Sequence, residues 1–447
     1  MKKTIRSNPT TKTALFAGAL ALMALTTRSH AQSADALIDK LVDKGVLTVK
    51  EAQDLREDAD KNFTTAFQAK TGMPDWIAGY KFSGDFRGRV DEQWGDNQAF
   101  VNRMQLRYRL RVGVTVSMLD NIEAGFRLGT GNSAGNPLSN NTTFSGNAAK
   151  KPIWVDTAYG KWTVINSGAW MLSGTFGKMD NPFRFTPMVF DPDYTPEGGV
   201  VQGLYRLNDR HTLSVAGGGF VLNEITASSL DPYFIGAQVM LDSVWSPHLE
   251  SSIGGGVLSI DNTAMLTTAA VGDNNSGNTR TGGALNTFFN PLIADASITY
   301  KLDSFPFYTG MFPIKIAGEY MNNPATSRRN KGYWVGATLG KSGTRHTWDL
   351  SYRYEYLEAN AWYEEVVDDD MGALYSNGLA TPAFRGGTNV KGHMVKLNYS
   401  VTDALTFTVG CYVSELIDKT INSAGAIAAV NPGSSATHLM VDLSWKF

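Results

Sequence analysis

The chain has 447 residues, with 40 Lys and Arg against 42 Asp and Glu and a formal net charge of −2, a balance that gives no reason to expect a nucleic-acid partner. Its single cysteine, Cys411, excludes an intrachain disulfide framework. Beyond the N-terminal segment no apolar run approaches the roughly 18 residues of a membrane helix, so no helical anchor is expected.

Residues 1–31 read as a secretory signal. A basic start, MKKTIRSNPTTK, is followed by the apolar run Ala14 to Ala24 and by Ser29-His30-Ala31, whose small residues suit cleavage after Ala31. Its removal takes away Lys2, Lys3, Arg6, Lys12 and Arg28 and no acid, leaving the remainder more acidic. In residues 32–75, Leu37, Ile38, Leu41, Val42, Ala52 and Leu55 recur at helical steps, with a break at Gly45 and a capping box at Thr48 and Glu51. That pattern predicts a short periplasmic helical segment, either a linker or a coiled-coil-like oligomerising element.

From Gly79 the texture changes to alternating segments separated by Gly, Asn, Asp and Ser clusters. Val101 to Val116 shows the pattern at its clearest: Met104, Leu106, Tyr108, Leu110, Val112, Val114 and Val116 share one parity, while Arg103, Gln105, Arg107, Arg109, Arg111 and Thr115 share the other. A period of two is a strand. Stacked guanidinium groups on one strand face repel unless water or acids surround them. An apolar face backed by a polar one that needs water is what a transmembrane β-barrel requires.

Sixteen such strands are predicted, near 79–91, 101–117, 121–130, 152–164, 169–178, 199–207, 211–221, 232–242, 247–259, 290–302, 312–322, 331–341, 346–359, 388–401, 404–416 and 436–447. Tight connections such as Asp120-Asn121, Asn208-Asp209 and Thr402-Asp403 alternate with long ones at 131–151, 179–198, 261–289, 360–387 and 417–435. Short periplasmic turns and long external loops are the habit of bacterial barrels, so both chain termini are expected at the periplasm. The expected architecture for residues 76–447 is therefore all-β, a transmembrane antiparallel up-and-down barrel of about 16 strands. Trp154, Trp162, Trp170, Tyr205, Trp334, Trp348, Tyr356 and Trp445 lie towards strand ends, where aromatic girdles meet the lipid interface. Cys411, inside an alternating segment, reads as a packed or lipid-facing thiol.

The last strand carries Leu439, Val441, Leu443, Trp445 and Phe447 on one face. It resembles the ends of outer-membrane proteins that the barrel-assembly machinery recognises, with Phe447 as the terminal aromatic. Gly84-Asp85-Phe86-Arg87-Gly88-Arg89, Gly177-Lys178-Met179-Asp180-Asn181-Pro182-Phe183, Asp191-Pro192-Asp193-Tyr194-Thr195-Pro196-Glu197-Gly198, Trp348 to Ala361 and the preface DKLVDKGVLTVKEAQDL resemble the putative porin family of Gram-negative outer membranes. The resemblance implies a sixteen-stranded diffusion porin, usually a homotrimer, set among outer-membrane lipid and lipopolysaccharide and passing small hydrophilic solutes or ions. It also implies that the connection between the fifth and sixth strands, 179–198, folds inward and narrows the channel.

That loop carries Asp180, Asp191, Asp193 and Glu197 among prolines and aromatics. Facing Arg87, Arg89, Arg103, Arg107, Arg109 and Arg111, these acids would set a transverse field across the constriction. In the plainer reading the arginines are solvated and neutralised locally by Asp85, Asp91 and Glu123. In a third, the guanidinium cluster is an anion-selective site of phosphate or carboxylate type. Two motif matches are set aside: Gly131-Asn132-Ser133-Ala134-Gly135 has no helix after it to form a nucleophile elbow, and Gly340-Lys341-Ser342 lacks the first glycine of a phosphate loop. Glu364, Glu365, Asp368, Asp369 and Asp370 read as a solvated external loop, with a calcium or lipopolysaccharide-bridging role as the sharper alternative. No catalytic residue, cofactor or metal site is expected, and the rivals to a passive channel are a barrel enzyme and a plugged barrel acting as an adhesin or structural protein.

Overall fold

The computed structural model describes residues 74–132, 136–268, 277–375, 383–422 and 433–447. The signal peptide and the helical segment expected before residue 74 lie outside the described residues. Sixteen long strands follow in chain order: β1 (Ile77–Gly95), β2 (Arg103–Met118), β3 (Ile122–Thr130), β4 (Ile153–Asn166), β5 (Trp170–Lys178), β6 (Glu197–Arg206), β7 (His211–Val221), β8 (Tyr233–Ser246), β9 (Leu249–Asp261), β10 (Leu292–Leu302), β11 (Phe312–Asn322), β12 (Lys331–Gly340), β13 (Trp348–Leu357), β14 (Val390–Ser400), β15 (Leu405–Leu416) and β16 (Ala436–Lys446). Each predicted segment has its strand, and the largest shift is β1, which runs longer at both ends.

Each strand pairs antiparallel with its chain neighbour, and β16 pairs back onto β1 from Asp85↔Lys446 to Gly95↔Ala436. The sheet is a closed antiparallel barrel. Closure leaves no strand edge unpaired, which is the condition for strands to cross hydrocarbon. The seam is finished by the chain's last residue, because the Gly84 N–H donates to the Phe447 carbonyl at 2.8 Å and the Phe447 N–H to that of Gly84 at 3.0 Å. A Cβ on residue 84 would sit 2.5 Å from the Phe447 ring, so this position accepts the terminal aromatic only as glycine.

Tight turns gather at one end of the barrel and long loops at the other. The alternation of side chains is that of a barrel in lipid: Phe82, Ile153, Phe176, Ile253 and Ile316 stand exposed on the outer face. Trp162 and Trp170 join them, and Trp170 stacks on Tyr205 with centroids 4.0 Å apart. Trp334 departs from the expected girdle: it faces inward and packs against the interior cluster, because its even position on β12 shares the lumen side with Gly332.

The apolar core lies inside the barrel and is built by loops against the wall. The loop between β5 and β6 leaves through Gly177, whose φ of +123° suits glycine, and lays Phe183, Phe185, Met188, Val189 and Phe190 against Phe220, Phe234, Leu258, Ile293, Met321 and Leu357 of the inner wall. The loop between β13 and β14 enters as well. Its Trp362, Tyr363, Val366 and Val367 are buried in the same cluster, and the Trp362 ring meets Phe190 edge-on at 6.1 Å.

Candidate functional site: an arginine wall facing two inward loops

The register of β1 and β2 sets arginine beside arginine, with Arg87 opposite Arg109 and Arg89 opposite Arg107. Like charges in such pairs repel, and the surrounding carboxylates resolve the repulsion. Asp85 accepts from Arg109 at 2.9 Å and from Arg111 at 2.7 Å. Asp91 takes Arg107 at 3.0 Å. Arg89 makes a two-pronged contact with Asp442 of β16, at 2.7 and 2.9 Å, which also lies 3.8 Å from Arg87. Arg87 donates to Asn141 at 2.8 Å. Arg103, at the loop end of β2, has no ion partner among the described residues.

Of the four loop acids expected to face this wall, Asp193 does so, 3.0 Å from Arg109 and 3.5 Å from Arg111. The other three go elsewhere. Asp180 pairs with Arg127 of β3 at 2.6 Å, a guanidinium that also holds Asp156. Glu197, the first residue of β6, pairs with Lys178 at 2.9 Å across the loop's own base. Asp191 turns into the interface between the two loops, accepting the N–H groups of Asp193 at 2.7 Å and Asp369 at 3.3 Å. The physical reason is the loop's path: the aromatic cluster pins its middle to the β7–β11 wall, and only the stretch after Phe190 swings back towards β2. Glu123 is not a neutraliser of the arginines; it accepts from Tyr159 at 2.9 Å.

The second inward loop corrects the reading of the acidic run. Glu364 and Asp368 are buried, not solvated. Glu364 receives Arg280 at 2.7 Å and the Asn278 N–H at 2.6 Å. Asp368 receives Arg353 of β13 at 2.8 Å. Asp370 lies 3.7 Å from Arg89, and its carbonyl is 3.2 Å from His438 Nδ1, whose Nε2 contacts Asp91 at 2.8 Å. The two loops are sewn together by the Asp191 N–H to the Val366 carbonyl, the Asp368 N–H to the Pro187 carbonyl and Trp362 Nε1 to the Val189 carbonyl, at 2.8, 3.0 and 3.1 Å.

Asp191, Asp368 and Asp369 bring carboxylate oxygens within 4.8 Å of one another. Backbone N–H groups serve Asp191 and Asp368, and Arg353 serves Asp368 as well, so the protein itself supplies partners to two of the three. Burial and then the neighbouring carboxylates push Asp191 and Asp369 well above the usual carboxylate range. For Asp370 burial acts in the same direction, but Arg89 and His438 outweigh it and hold the group below that range.

Sequence reasoning missed Asp442, Asp370 and Arg127. Asp442 was visible in principle, since closing the barrel puts the inward parity of the last strand beside that of the first. Beside the arginine wall the described residues leave a hollow. It is a cavity of about 340 Å³ at the loop end, lined by Arg103, Arg107, Glu365, Asp370 and His438, among others.

Residues 95–288 match a family model described as Putative porin. Among solved structures, the chain is similar to the Salmonella typhi OmpF complex with daunomycin, at 9% identity and a TM-score of 0.47, covering 82% of this chain and 97% of that one. It is likewise similar to the outer-membrane expressed OmpT of Vibrio cholerae (10%, TM-score 0.43, 84% and 99%) and to a mutant of the Rh. blastica porin (9%, TM-score 0.41, 83% and 100%). No curated protein matches.

Proposed function

Taking the chain as a member of the putative porin family, whose model it matches over residues 95–288, we propose that it is a passive outer-membrane channel for small hydrophilic solutes and ions, with no chemical step. The observation that carries this reading is the contact of Asp193 with Arg109 and Arg111 inside a closed barrel. An infolded loop and the wall across from it present opposite charges where the lumen is narrowed.

Solutes enter at the loop end through the cavity beside Arg103 and pass alongside the contact of Asp193 with Arg109 and Arg111. Low-dielectric walls focus the field there, so water and dipolar solutes align while apolar ones do not. The arginines are largely matched by Asp85, Asp91, Asp193, Asp370 and Asp442. This matching favours a weakly selective passage over an anion-specific one. In this reading residues 1–31 direct export, both chain termini of the barrel face the periplasm, Phe447 presents the last strand for assembly, and three copies associate.

Planar-bilayer recording of the purified protein tests the proposal. Stepwise conductance is expected. A correctly folded barrel that stays silent would overturn it in favour of a plugged adhesin or structural barrel. Heat-modifiable gel migration with a trimer band tests the oligomer.

A further inference from the structure

On the wall away from the arginines, below the first inward loop, β8 to β12 enclose a hollow of about 460 Å³. Its floor is a cross-strand row of small residues, because the register sets Ser252 beside Ser297 and Ser297 beside Ala317. The row continues to Gly336, over which the Trp334 ring folds, since a Cβ there would lie 3.0 Å from Trp334 Cζ3. Large side chains on these strands would fill the hollow; small ones leave it open.

The rim is polar and balanced. Arg184 reaches from the inward loop to Asp242 of β8 at 2.6 and 3.0 Å, bridging loop and wall. Lys315 and Asp295, from adjacent strands, both line the hollow, and Glu250 is matched by Lys301. Asp295 Oδ2 and Trp334 Nε1 are buried without a hydrogen-bond partner in the protein, one an acceptor and the other a donor. Buried polar atoms are nearly always partnered, so two unpartnered ones lining a single hollow point to a ligand that supplies both functions.

We propose that this hollow is a second solute site of the lumen and takes a neutral polyhydroxylated solute of mono- to disaccharide size. An ion of either sign would meet like charge from half of the rim. A sugar meets no such opposition: each hydroxyl both donates and accepts, matching the alternation of Asp242, Arg184, Asp295, Lys315 and the floor hydroxyls. Its aliphatic face packs on the indole edge that closes one end. The site rests on the channel reading above, because the solute reaches it through the lumen, and Arg184 ties its occupancy to the loop that forms the constriction.

The test is single-channel recording with sucrose, against a polyethylene glycol of equal hydrodynamic size. Sucrose is expected to lower the current saturably and beyond the polymer's effect. Asp295→Asn, which weakens an acceptor, and Ala317→Leu, which fills the floor, should each raise the half-blocking concentration by roughly tenfold or more, the scale of one hydrogen bond to a charged group. A conducting channel in which sucrose and polymer act alike, or in which both variants keep the wild-type block, overturns the site and leaves the channel standing. Absence of conductance in every preparation overturns the channel reading and the site with it.

Discussion

Asp193 of the inward loop and Asp85 of β1 hold the same guanidinium, that of Arg109, at 3.0 and 2.9 Å from opposite sides. Asp85 belongs to the wall and moves with it, whereas Asp193 is the link that spans the gap. Replacing Asp193 by Asn leaves Arg109 and Arg111 sharing Asp85, so one positive charge becomes uncompensated at the narrow part. A unit charge about 7 Å from the ion path in a water-like dielectric is worth ~0.6 kcal/mol, a two- to threefold change in local ion concentration. The reversal potential in a salt gradient should shift towards anion preference by that factor; an unchanged potential would mean that Asp193 does not border the conducting path.

Arg103 and Arg89 should answer differently to the same truncation. Arg103 is exposed at the loop end without an ion partner among the described residues, so Arg103→Ala should leave urea stability within ~0.5 kcal/mol while moving selectivity towards cations, most visibly at low salt. Arg89 is buried against Asp442 with Asp370 behind it. Arg89→Ala removes the two-pronged partner of Asp442 and leaves it only the more distant Arg87, and breaking a buried pair in this way costs about 3–5 kcal/mol. Urea unfolding in detergent, followed by gel shift, separates the two. Equal losses would contradict the division into a pore-facing and a structural arginine.

The strands were legible because each carries a period of two, and the barrel followed from their alternation with tight turns. Charge pairing was only partly legible. The arginines announced themselves by parity, yet which acid meets which arginine depends on a loop path fixed by Phe183 and Phe190 packing on Phe220 and Phe234. No spacing in the sequence encodes that path, so Asp191 and Glu197 looked equivalent to Asp193. The acidic run was misread for a related reason. Trp362, Tyr363, Val366 and Val367 alternate with Glu364, Glu365 and Asp368, a mixture that an external loop has no need of and a loop docked inside a barrel does.

The junction of the two loops should respond to pH in opposite senses at adjacent residues. Burial and neighbouring acids raise Asp369, so its stabilising contribution is complete below the ordinary carboxylate range and is lost as pH rises through the elevated value. Asp370 is depressed, so its contribution is present above the ordinary range and lost only as pH falls through the lowered value. As pH rises above the ordinary carboxylate range the first effect dominates. Amide-exchange protection across 364–370, corrected for intrinsic rates, should fall as pH rises above that range in the wild type and fall less in Asp369→Asn, where Asp191 remains raised by burial. A fall of equal size in the variant would assign the response to other groups.

The outer face separates a barrel in lipid from one in water. Ile253, near the middle of β9, points away from the lumen and is 61% exposed, with Leu241 and Ala296 as its cross-strand neighbours. If this face meets hydrocarbon, Ile253→Arg places a cation near the midplane and should lower folding stability in vesicles by about 2–4 kcal/mol. On a water-facing surface the same change would be neutral or would improve solubility, because an exposed isoleucine surrounded by water gains nothing from being apolar. Urea titration in phospholipid vesicles reads the difference, and unaltered stability of the variant would remove the ground for placing these strands across a membrane.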